Sequence, residues 1–109
     1  MTRLMDVAEV IRSKNSGPYE LTFDIIFKDW KMFKEFCDRN LIHHGLVARL
    51  YHIPGEKIIN VVPFHPAKAI KVTIERPVVS GALGDTDVYG AQQHAPWLDL
   101  EFDLSKGNQ

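Results

Sequence analysis

The chain has 109 residues, is 45% hydrophobic and 25% charged, and carries 13 basic against 14 acidic side chains for a formal net charge of -1. That size supports one core rather than two, so a single domain is expected over residues 1–104, with 105–109 as a disordered tail. The charge balance gives no long-range pull toward phosphate backbones or anionic lipid, and the sequence has neither a signal-peptide core nor an apolar run of membrane-spanning length. With one cysteine, Cys37, an intramolecular disulfide is excluded and a cytoplasmic setting is expected.

Leu4, Val7, Ala8 and Ile11 have helical spacing, with Asp6 near the start, and predict a short N-terminal helix. The run Arg12-Ser13-Lys14-Asn15-Ser16-Gly17-Pro18 reads as a polar loop. Over Glu20 to Phe27, Leu21, Phe23, Ile25 and Phe27 alternate with Thr22, Asp24 and Ile26, the period of a half-buried strand. Asp29 stands before Trp30, Phe33, Phe36 and Cys37, which predicts a capped amphipathic helix to about Asn40. Leu46, Val47, Leu50 and Tyr51 form a second helical stripe that Pro54-Gly55 ends. Ile58 to Phe64 is β-branched and apolar, and Pro63 assigns it to a sheet edge because proline cannot donate to a ladder. Ile70, Val72 and Ile74 predict a third strand, and Leu98, Leu100, Phe102 and Leu104 a fourth. Between them, Asp87 is placed to cap a helix that Pro96 ends.

The resulting order is strand, helix, strand, strand, helix, strand. It predicts an α+β fold, a ferredoxin-like two-layer sandwich with a four-stranded antiparallel sheet and helices on one face. The opposite sheet face would carry Thr22, Asp24, Lys71, Thr73, Glu75, Asp99, Glu101 and Asp103. An RNA-recognition module on this topology needs exposed aromatic rings there, and carboxylates repel phosphate, so nucleic-acid binding is not expected.

Two segments carry candidate binding chemistry. The loop with Arg12, Ser13, Lys14, Asn15 and Gly17 could hold a carboxylate or phosphate through backbone amides and charge; the competing reading is an ordinary turn. Residues 80–94 pack Asp85, Thr86, Asp87, Tyr89, Gln92, Gln93 and His94 among three glycines, with little to bury. Helix capping accounts for Asp85-Thr86-Asp87, whereas Tyr89, Gln92, Gln93 and His94 suit recognition of a polar ligand or a partner surface. If residues 87–94 form a helix, Asp87 and His94 lie two turns apart, roughly 10 Å in rise, too far to chelate one ion. No histidine pair has HxH or HxxxH spacing, so no metal site is assigned and no cofactor is implied. Cys37 sits on the stripe of Phe33 and Phe36 and reads as packing.

The motifs Ile11-Arg12-Ser13-Lys14-Asn15, Glu20-Leu21-Thr22-Phe23-Asp24, Pro77-Val78-Val79-Ser80-Gly81 and Gly84-Asp85-Thr86-Asp87-Val88-Tyr89-Gly90-Ala91-Gln92-Gln93-His94-Ala95-Pro96 give the chain a family likeness. It resembles a small bacterial domain-of-unknown-function family whose members occur beside, or fused to the end of, acyclic terpene utilisation proteins. A looser similarity links it to the ferredoxin-fold domain that closes many of those proteins, and that likeness makes residues 3–12 a strand instead of a helix. The resemblance implies association with a larger acyclic terpene utilisation-type protein, in catabolism of acyl-CoA or organic-acid intermediates, and supplies no catalytic residues. The expected role is therefore an accessory or ligand-binding subunit partnered by that protein, by its own copies, or by both. The alternative is a small lyase, hydratase or isomerase component in which Arg12 and Lys14 hold an anion and Asp85, Asp87 or His94 move protons.

Overall fold

The computed structural model describes residues 1–17, 19–75 and 95–104. Its centre is strand β3 (Glu20–Phe27), where period-two alternation turns Leu21, Phe23, Ile25 and Phe27 into the core. β3 lies between β2 (Ala8–Gly17) and β5 (Ala69–Glu75), and β5 pairs in turn with β4 (Ile58–Phe64). The sheet has four strands in the order β2-β3-β5-β4, every neighbour antiparallel. Among the described residues β4 is an edge, which suits Pro63.

Two helices cross from β3 to β4. Helix α2 (Trp30–Asp38) starts where the Asp29 side chain accepts a 2.8 Å hydrogen bond from the Met32 amide, and its inner stripe buries Phe33 and Phe36. Replacing Asp29 by alanine strands that amide and should cost about 1 kcal/mol. A melting temperature lower by about 4–8 °C, largely restored by Asp29→Ser, is the expected measurement. Helix α3 (His44–Tyr51) is capped by a residue that the apolar pattern does not reveal: His43 Nδ1 accepts from the Leu46 amide at 3.2 Å. It ends at His52, whose backbone is left-handed with φ 55°, two residues ahead of the expected Pro54 stop.

The N-terminal expectation is corrected. Only Leu4–Val7 form a helical turn, α1; the chain then enters β2 and continues extended to Gly17. The predicted loop at 12–17 is thus a strand, and Gly17 serves the hairpin turn with φ 148°, a conformation open to glycine and rarely to residues with a Cβ.

The predicted fourth strand changes place as well. Strand β6 is confined to Glu101–Phe102 and pairs with β1 (Thr2–Arg3) in a separate two-stranded ribbon. The position beside β3 is held by β2, whose register runs from Ala8↔Phe27 to Gly17↔Glu20, leaving no backbone groups of β3 for another strand. Residues in and before β6 still close the core. Helix α4 (Ala95–Leu98) buries Trp97 completely against Phe23, with ring centroids 5.7 Å apart, and Phe102 meets Phe36 at 4.9 Å. Arg39 bonds the carbonyls of Asp103 and Leu104, tying this end to α2.

Candidate functional site

The helices pack on the side of Phe23 and Ile25, so the other side of the sheet carries the even-numbered residues of β3. Register sets Arg12, Asp24, Lys71 and Val62 in one cross-strand row, and Lys14, Thr22, Thr73 and Asn60 in the next. Asp24 is only 2% exposed although it faces away from the core, because two long cationic side chains lie over it. Arg12 Nε reaches Oδ2 at 3.0 Å, and Lys71 Nζ reaches Oδ1 at 3.0 Å. Burial alone would raise the Asp24 pKa; hydrogen bonds and charge from Lys71 and Arg12 outweigh it and hold the carboxyl below its usual range. Asp24 is therefore ionised, and its role is to fix two cations.

The surroundings extend this order. The Thr22 hydroxyl donates to Ser16 Oγ at 3.0 Å and lies 3.3 Å from Thr73 Oγ1, while Lys57 pairs with Glu75 at 3.1 Å. Toward the β4 edge the face turns apolar. Val62 and Phe64 are 44% and 43% exposed, and Lys71 Nζ lies 5.2 Å from the Phe64 ring centre.

Of the residues expected to form an anion loop, the structure splits one set. Arg12 and Lys14 stand on this open face. Ser13 and Asn15 alternate to the helix side, opposite Phe23 and Leu21, and Ser13 is 6% exposed. A strand cannot converge them on one ligand, and Gly17 belongs to the turn. Asp85, Thr86, Asp87, Tyr89, Gln92, Gln93 and His94 lie outside the described residues. The expected acidity of the face is also corrected: Asp99, Glu101 and Asp103 are not on the four-stranded sheet, and β2 supplies Arg12 and Lys14 instead. Alternation in the sequence puts Asp24 and Lys71 on the face but does not show that they bind each other. The usable signal was a carboxylate and a lysine each alternating with apolar neighbours in adjacent strands.

Cys37 is half-buried, and burial, with a smaller push from Asp38, raises its thiol pKa, which suits packing rather than nucleophilic attack. Burial likewise raises the Tyr51 hydroxyl pKa, against a lowering by the Trp97 indole N–H. Among the described residues, no group of three or more His, Cys, Asp or Glu is placed to hold a metal ion, and no helix is long and apolar enough to cross a membrane.

Fold and site together define an α+β domain with one sheet face built from fixed ion pairs beside an exposed apolar edge. The chain belongs to the family described as a domain of unknown function (DUF4387), whose model matches residues 4–101. No curated protein and no solved structure shows significant similarity to it.

Proposed function

We propose that the chain is an accessory, non-catalytic subunit that docks through its open sheet face on a larger acyclic terpene utilisation-type protein, in catabolism of acyl-CoA or organic-acid intermediates. The family likeness supports the choice of partner. The observation that carries the docking surface is the buried Asp24 carboxylate with Arg12 and Lys71 locked over it, next to exposed Val62 and Phe64. Interface centres are enriched in arginine and aromatic rings. Cations already held in one geometry lose less freedom on association than free ones. We read the unit from β3 through α2, α3, β4 and β5 as a ferredoxin-like half-domain, with β2 in the place of the last strand.

Co-purification and sedimentation of the chain with that partner test the reading. Phe64→Asp and Arg12→Glu, both at exposed side chains, should each weaken the complex about tenfold or more while the circular dichroism spectrum is kept. Unchanged affinity in both variants defeats this face as the docking surface. A chain that sediments as a dimer alone, and loses that state in the same variants, replaces the larger partner by a second copy.

A further inference from the structure

A groove of about 350 Å³ runs along the flank of α2, where that helix meets the turn between β4 and β5. Its floor is Phe33, 2% exposed. Trp30 and His65 both stand steeply to that ring, at 81° and 89° with centroids 5.7 and 5.2 Å away. The two upright rings and their floor line one apolar groove, of the kind that takes aromatic guests. Trp30 is 55% exposed, an unusual placement for the largest apolar side chain. The neutral Cys37 thiol adds to the apolar lining.

Charge in and beside the groove is unevenly spent. Lys34 is neutralised by its helical neighbour Asp38. Lys68 holds its ammonium 6.0 Å from the Trp30 ring centre, and among the described residues no carboxylate pairs with it. Its backbone is left-handed, φ 53°, and held at both ends: the Lys68 amide donates to His65 at 3.1 Å, and the Lys68 carbonyl accepts from Phe27 at 2.8 Å. A left-handed residue is the usual way to end such a turn, here the helical turn His65–Ala67. The cation is therefore held beside Trp30, one of the groove's lining residues, by a fixed turn.

The geometry points to a binding site for a planar aromatic anion, its ring seated between Trp30 and His65 over Phe33 and its negative group on Lys68. The groove volume lies in the range of small-molecule sites, about 300–1,000 Å³. This site is separate from the open sheet face and does not depend on docking.

The two tryptophans provide the test on the full chain, since Trp30 is exposed and Trp97 is fully buried. Indole N–H signals are followed by ¹H–¹⁵N NMR during titration with AMP and with 1-naphthoate, a phosphate and a carboxylate. Adenosine and 1-naphthamide serve as their uncharged counterparts. The Trp30 signal should move saturably with at least one anion while that of Trp97 stays, and the matching neutral compound should bind at least about fivefold more weakly. Whichever anion responds identifies the anionic group. Lys68→Gln should weaken the anion about fivefold and leave its neutral counterpart unchanged. A Trp30 signal that neither anion moves at about 5 mM, or an anion affinity that Lys68→Gln leaves intact, overturns the assignment.

Discussion

Replacing Phe23 by alanine is expected to lower stability by about 3–5 kcal/mol. The melting temperature should then fall by roughly 12 °C or more. Phe23 is fully buried in the middle of β3, opposite Ser13 on one side and Val72 on the other. Above the sheet its ring stacks on Tyr51 of α3 at 4.9 Å and meets Trp97 of α4 at 5.7 Å. One side chain thus joins three strands, the second crossover helix and the segment that returns from the C-terminal end. The cavity left by truncation has no flexible neighbour to fill it, because Tyr51 and Trp97 are themselves large and ring-locked. Thermal denaturation with Tyr19→Ala as a control separates this loss from a surface effect: Tyr19 is 61% exposed, and its removal should stay within about 0.5 kcal/mol. A loss near 1 kcal/mol in Phe23→Ala would mean that the core closes without its central ring.

The same residue shows what the sequence makes legible. Phe23 sits in an alternation of apolar and polar side chains that only a half-buried strand explains, and β5 and the Asp29-capped helix are read from equally local signals. Strand β2 carries no such signal. At its hairpin end the inward positions are Ser13 and Asn15, so an edge strand looks like a loop, and Leu4, Val7 and Ala8 look helical beyond the single turn they form. The error then propagates. With β2 unseen, the alternating Leu98 to Leu104 is the natural candidate for the place beside β3, and its carboxylates give the open face the wrong sign. The ion-pair row is illegible for the same reason, since Arg12 and Lys71 meet on Asp24 only once strand order and register are known. Pairing is a long-range property, and no window of the chain contains it.

Asp24→Asn should cost about 1–3 kcal/mol near neutral pH. The substitution keeps shape and one acceptor but leaves Arg12 and Lys71 facing each other across a site without a counter-charge. Breaking a wholly buried pair costs more. Here the cations are 57% and 35% exposed, so water takes up part of the loss. The pH dependence gives the sharper result. The folded-state pKa of Asp24 lies below its unfolded value of ~3.9, so the native state favours the ionised form. That stabilisation is complete above the unfolded value and is lost as pH falls through the lower folded value. Urea midpoints for the two proteins should therefore differ by a constant amount from neutral pH down to about pH 5 and converge below about pH 4. A gap that persists undiminished in acid would mean that the carboxylate contributes shape and not charge. The same variant bears on docking, because an Arg12 released from Asp24 is no longer held at the surface. Asp24→Asn should weaken the complex with the larger partner even at a temperature where the variant is fully folded, whereas a purely structural Asp24 would leave that affinity unchanged.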